Sequence, residues 1–276
     1  MIRHSFRSCC GGVALGLVAQ FPLNADQPIM NMMPRWDGGY GFQIRAEHIH
    51  RSDLKQGYDV VAHDYSEDIH QFHLEGVYTW DRSIRITAKL PYVEDASREV
   101  SGPGGQKVVQ YDEGIGDLTL ALPLKRYFNL DARTGSWTLA PQFRIPLGRE
   151  DDEFEVWDGV WGSGLSFGYE TETYIWFFAT NFGFWIFEQP EPAEWSYSLD
   201  LGWNAREDVQ ILWESDLSWD DEGRFSLSAG PALYWRWSDK THIRIEWKQD
   251  FISRVTLDRP DHGNGERFSA GVGFVF

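Results

Sequence analysis

The sequence predicts an all-β fold, a cleaved N-terminal signal peptide followed by a transmembrane antiparallel β-barrel of about twelve strands, with ten or fourteen as the alternatives. Three observations point there. The chain opens on a short apolar leader, its body alternates apolar and polar residues in runs of about ten, and it closes on an alternating strand whose last residue is aromatic.

Arg3 and Arg7 give the leader a basic start, and an apolar stretch follows from Cys9 through Val13, Leu15, Leu17 and Ala19. Its apolar part is roughly 13 residues, which suits a secretory core and is too short for a membrane-spanning helix. Ala25 offers the small residue that a signal peptidase accepts. The expected organisation is residues 1–25 as signal peptide and 26–276 as one barrel domain. Cys9 and Cys10 both fall inside the leader, so the mature chain is expected to lack disulfides and cysteine-based sites.

Composition fits a barrel. Aromatic residues make up 16% of the chain and include 14 Trp, a load that interfacial girdles of a barrel require. The formal net charge is −17; without Arg3 and Arg7 it becomes 23 − 42 = −19. Such acidity argues against nucleic acid as a partner.

The alternation defines the strands. Tyr40, Phe42, Ile44 and Ala46 share one face, opposite Gln43, Arg45 and Glu47. Ile84, Ile86, Ala88, Leu90 and Tyr92 alternate with Arg85, Thr87 and Lys89; Ile243, Ile245 and Trp247 alternate with His242, Arg244, Glu246 and Lys248. Strands are expected near 39–50, 67–80, 83–93, 114–126, 136–147, 160–169, 173–187, 194–204, 208–219, 224–237, 241–251 and 266–276. Short turns are expected at Asp81-Arg82, Glu170-Thr171-Glu172, Asn204 to Asp208 and Ser238-Asp239-Lys240. The longer segments 51–66, 94–113, 148–159 and 252–265 read as loops at the other end. Short periplasmic turns alternating with long outer loops need an even strand count and both termini in the periplasm.

At the C-terminus, Phe268, Ala270, Val272, Phe274 and Phe276 share one face. A closing strand that ends on Phe276 is similar to the signal read by the barrel-insertion machinery, an expected partner beside outer-membrane lipid and lipopolysaccharide. No internal repeat exceeds the hairpin period.

Residues 114–122 read G-I-G-D-L-T-L-A-L, Gly162-Ser163-Gly164-Leu165 opens a later strand, and W-T-L-A-P-Q-F-R-I-P-L-G occupies 137–148. With the leader and the aromatic end, these segments resemble the outer-membrane barrels grouped with the transporter-like protein of the meta-pathway of phenol degradation. The resemblance covers most of the mature chain in pattern, and its specific part is the G-[IL]-G-D-L segment. It implies passive uptake of aromatic or other hydrophobic compounds and carries no catalytic residue. In the same segment Gly114 and Gly116 permit a bulge at a strand start, and Asp117 is placed in the lumen for barrel shaping or for solute contact.

If the apolar faces meet lipid, the opposite faces fill a lumen with both signs of charge. The candidates for its lining are Arg45, Arg85, Lys89, Asp117, Arg144, Asp216 and Arg244, orienting a small solute and selecting ions. Two arrangements stay open, a transverse field across a water-filled pore or charges that pair and plug the bore. The acid-rich loop of Glu150, Asp151, Asp152, Glu153, Glu155 and Asp158 belongs at the outer mouth.

The expected function is that of an outer-membrane channel or passive transporter for small molecules, without cofactor or metal. One alternative is an adhesive or structural barrel that binds partners through its outer loops; another is a barrel-embedded lipid-modifying enzyme. His48, His50, His63, His70 and His73 gather near the first two strands, but no spacing among them matches a metal motif. There is no G-x-S-x-G, and Ser163 between glycines has no catalytic setting, so no enzyme is expected.

Overall fold

The computed structural model describes residues 38–276 apart from 103, 131–132, 148–155, 158 and 258–259. The expected leader and the acidic residues 150–155 and 158 lie outside the described residues. The strands are β1 Gly39–Gln56, β2 Asp59–Asp81, β3 Ile84–Ser101, β4 Lys107–Ile115, β5 Leu118–Ala121, β6 Leu124–Leu130 and β7 Arg133–Ile145. They continue with β8 Gly162–Thr173, β9 Trp176–Phe187, β10 Glu194–Arg206, β11 Val209–Asp220, β12 Phe225–Ser238, β13 Thr241–Arg254 and β14 Asp261–Val275.

These fourteen segments make twelve traverses, because β4, β5 and β6 are successive pieces of one. All three pair with β3, and β5 and β6 also pair with β7. Two breaks divide that traverse. At Gly116-Asp117 the chain steps aside, with the Gly116 N–H donated to the Pro91 carbonyl at 3.0 Å. At Leu122-Pro123 proline has no N–H to donate; the Leu122 N–H reaches the Pro141 carbonyl at 2.9 Å.

Every pairing is antiparallel, and the wall closes where β1 lies between β2 and β14. The β1–β14 register runs from Gly41↔Val275 to Lys55↔Asp261. Closure leaves no unpaired edge between first and last strands, which a hydrocarbon environment demands because nothing there can satisfy free N–H and C=O groups.

Outward positions carry the lipid face. Ile44, Leu74, Leu139, Leu165, Leu201, Ile211 and Ile245 are exposed around its middle. Below them, at the end bearing Gly39, stand Tyr40, Tyr78, Trp80, Trp176, Trp203, Trp237 and Phe276; at the opposite end stand Tyr92, Phe143, Trp161, Phe251 and Phe268. The two girdles are the aromatic belts of the membrane interfaces.

Two sequence expectations need correction. Segments 51–66 and 94–113 are not loops: β1–β2 and β3–β4 continue as hairpins above the apolar band. Cross-strand polar pairs hold them there, among them Arg51–Glu67, His50–Asp68 at 2.7 Å and Lys107–Glu99 at 3.0 Å. Polarity marks departure from lipid, not the end of the strand. The turn expected at 170–172 lies within β8; the chain reverses at Tyr174-Ile175, where Thr173 Oγ1 accepts the Trp176 N–H at 2.8 Å.

Candidate functional site, the barrel lumen

The pleat sends alternate residues inward, and the inward set differs in character from one end of the barrel to the other. Near the middle a band of charges lines the wall from β2 to β11. Arg45 donates to Glu75 and Glu246 at 3.4 Å each and lies 3.9 Å from Glu47. Glu47 also meets Arg267 at 3.5 Å and His73 at 2.7 Å. On the far side of β14, Arg244 pairs with Glu246 and, at 3.4 Å, with Glu214. Lys248 bridges Glu214 at 3.0 Å and Asp216 at 2.6 Å.

Glu47, His73, Glu214 and Glu246 are buried in this band, where neighbouring charged and polar side chains rather than bulk water compensate the carboxylates. The Arg267 and Asp216 side chains behave differently. Both point inward and remain 44% and 42% exposed, so water reaches this level of the lumen.

Toward the periplasmic end the β9–β12 part of the interior is apolar. Phe177, Leu212, Ala232 and Tyr234 form a buried cluster. The Tyr234 hydroxyl donates to Glu214 at 3.0 Å and its ring lies under the Arg244 guanidinium, which ties the cluster to the charge band. Toward the outer end Ile49, Ile69, Val93 and Ala96 form a second cluster, and Val156 and Trp157 pack on it from the β7–β8 connection. The Val156 N–H is donated to Asp112 at 2.8 Å. Gly116 makes room for Trp157, because a methyl group at 116 would overlap the indole.

On the β8–β9 wall, Trp185 and Phe187 turn inward. They lie against Gly164 and Gly162, whose missing side chains leave space for the rings. The Arg144 guanidinium stacks 4.5 Å from the Phe187 centroid and 5.4 Å from that of Trp185.

The sequence candidates fall at different places in this interior. Arg45, Arg244 and Asp216 belong to the band. Arg85 is buried near the periplasmic end and donates to the Arg82 carbonyl and the Tyr127 hydroxyl at 3.3 Å each. Lys89 lies inward beside Glu75, its cross-strand neighbour. Asp117 is fully buried at the break in the fourth traverse. Arg144 joins the aromatic stack, away from the band.

Alternation did not single out Arg267, Trp157, Trp185 or Phe187. Strand β9 is largely apolar on both faces, with Asn181 its inward polar residue, so its sequence gives little signal for the inward rings; the matching signal is on β8, in Gly162 and Gly164. The histidines divide between faces. His73 points into the lumen, whereas His48 and His70 stack outside with Nδ1 atoms 3.2 Å apart. Among the described residues no group of three His, Cys, Asp or Glu is placed to hold a metal ion.

A family model described as "Putative MetA-pathway of phenol degradation" matches residues 53–258. The chain belongs to this family. Its match to the phenol-degradation family runs from the last residues of β1 through β13, including the G-I-G-D-L segment. Among solved structures, an outer-membrane channel from Pseudomonas putida F1 is similar with a TM-score of 0.72 at 14% identity, covering 91% of this chain and 99% of that one. The NanC porin is similar with a TM-score of 0.52 at 9% identity, covering 84% and 98%. No curated protein matches the chain in sequence. These likenesses establish the fold of a bacterial outer-membrane β-barrel for this member of the phenol-degradation family.

Proposed function

We propose that this barrel is a passive outer-membrane channel for small solutes, with aromatic or other hydrophobic compounds as the substrate class. The single observation that carries the reading is a closed wall whose inner face keeps Arg267 and Asp216 in water while its outer face is apolar. Such a cylinder holds a polar path across hydrocarbon, and diffusion along it needs no chemistry. Family membership supports the aromatic substrate class, and the similar solved structures are a channel and a porin.

In this reading Arg45, Arg85, Lys89, Asp117, Arg144, Asp216 and Arg244 line or brace the path. The terminal strand that ends on Phe276 is the segment the insertion machinery engages; its Phe274 and Phe276 pack on Phe42 and Tyr40 once the barrel has closed.

A second reading is favoured by the buried clusters at the two ends: a barrel closed at rest, with Trp157 at the outer mouth and Tyr234 below. Single-channel recording from the refolded protein separates the two. Reproducible steps at moderate salt support the open channel. A silent membrane with a folded barrel by circular dichroism supports the closed one.

A further inference from the structure

Among the described residues, the charge band is flanked by two inward charges outside its ion pairs. From Glu75 on β2 to Asp216 on β11, the charges of the band meet opposite charges in the contacts described above. Lys89 and Asp200 flank its two ends. Lys89 lies across from Glu75, but that carboxylate already accepts from Gln43 and Arg45. Asp200 lies across from Glu214, whose oxygens already serve Tyr234, Arg244 and Lys248. Neither Lys89 nor Asp200 makes a hydrogen bond or ion pair with a described residue. Both face inward: Arg85 and Val93 on the Lys89 side of β3 are buried, and Leu201 and Trp203 alternate with Asp200 toward lipid. Their strands, β3 and β10, stand five steps apart around the wall of twelve: the β4–β6 traverse, then β7, β8, β9 and β10.

A close ion pair presents a dipole to a passing ion, and its field decays faster with distance than that of a lone charge. Two lone charges of opposite sign on nearly opposite walls therefore dominate the field that a solute meets. We propose that Lys89 and Asp200 set the ion preference of the lumen in opposite senses, Asp200 favouring cations and Lys89 favouring anions, while the paired charges between them brace the wall. The inference rests on the channel reading above. It assigns selectivity to Asp200, and it takes Arg45 and Arg244 out of that role.

Reversal potentials in a salt gradient across planar bilayers test it. Asp200→Asn is expected to lower the cation-to-anion permeability ratio roughly two- to fivefold, and Lys89→Gln to raise it by a similar factor. Neither change removes a bond, so both variants are expected to fold. The double variant Arg244→Gln/Glu246→Gln alters no net charge and is expected to leave the ratio in place. A ratio that is the same in wild type, Asp200→Asn and Lys89→Gln overturns the proposal, as does an equal shift in the double variant.

Silent wild-type protein would overturn the channel reading instead, and a second measurement then decides this one. In a Cys9→Ser/Cys10→Ser background, single cysteines replace Ser198, two residues before Asp200, or Thr87, two before Lys89. Cationic and anionic thiol reagents are compared at each. The cationic reagent is expected to be relatively faster at Ser198→Cys, with the bias lost when Asp200→Asn is added. Equal biases at the two sites, or no reaction at either, overturn the assignment.

Discussion

Arg45 and Glu246 meet at 3.4 Å inside the barrel, although 201 residues separate them and a whole strand, β14, lies between theirs. The residue of β14 in register with Arg45 is Gly271, which faces Arg244 on its other side, while Glu246 stands opposite Ser269, two residues along β14. Its missing side chain lets the Arg45 stem cross β14 to the carboxylate beyond. A Cβ at 271 would sit 3.2 Å from Arg45 Cβ, so a branched side chain there closes the crossing. The contact thus stitches the first strand to the last hairpin, at the seam where the barrel closes.

Arg45→Met is expected to destabilise the folded barrel by about 2–4 kcal/mol, because it leaves the buried Glu246, and Glu75 beside it, with less compensation. Adding Glu246→Gln should restore part of that loss. Urea unfolding in detergent or vesicles, followed by tryptophan fluorescence, reads both; additive losses would show that the two side chains do not couple.

The mouth cluster predicts a gain of conductance on truncation. Trp157→Ala removes the indole from the cluster of Ile49, Ile69 and Val93, and Gly116→Val drives it out from the opposite side. Both are expected to enlarge the single-channel step about twofold, since an apolar constriction limits flow by excluding water. Unchanged steps in both variants would place the narrowest point elsewhere.

At the periplasmic cluster the expected effects are on stability. Leu212→Ala should cost about 2–4 kcal/mol through the cavity it leaves beside Phe177 and Tyr234. Tyr234→Phe should cost about 1–2 kcal/mol, the loss of one buried donor to the Glu214 carboxylate. Chemical unfolding midpoints check both, and a Tyr234→Phe barrel as stable as wild type would show that water replaces the hydroxyl.

The two faces of a strand should tolerate arginine unequally. Ile44→Arg or Leu74→Arg puts a charge in the middle of the lipid face and is expected to cost about 2–4 kcal/mol. Ser198→Arg, on the inner face beside Asp200 and across from Asp216, should cost far less. Comparable losses would mean that the strand faces have been exchanged.

One pH effect belongs to the hairpins above the membrane. Glu99 accepts the Ser66 N–H at 3.1 Å and pairs with Lys107 at 3.0 Å; the backbone hydrogen bond, then the ammonium, hold its carboxyl below the usual carboxylate range. A lowered folded value means that the tie contributes in full above the ordinary glutamate range and is lost as pH falls through that lower value. The protection factor of the Ser66 amide should therefore fall only in acid, below the ordinary glutamate range. Glu99→Gln should bring faster exchange already at neutral pH; equal protection in both proteins would remove the tie.

Class, a count of about twelve traverses and, in the strands that alternate, the side that meets lipid are legible in the amino-acid pattern alone. A pleat has a period of two, and hydrocarbon tolerates no charge, so Ile84, Ile86 and Tyr92 could face only outward and Arg85 and Lys89 only inward. The length of the outer hairpins was hidden, because in β1–β4 polar cross-strand pairs continue the pairing after the lipid ends. The roles of the inward charges were hidden for a different reason. Whether Arg45 is neutralised depends on Glu75 and Glu246, which lie 30 and 201 residues away and become neighbours only through register and closure. The same holds for Trp157, whose place is fixed by the gap at Gly116, and for Trp185 and Phe187, seated on glycines of the next strand. One-dimensional pattern carries the partition between water and lipid; the pairing of charges is a property of the closed cylinder, where distance across the lumen replaces distance along the chain.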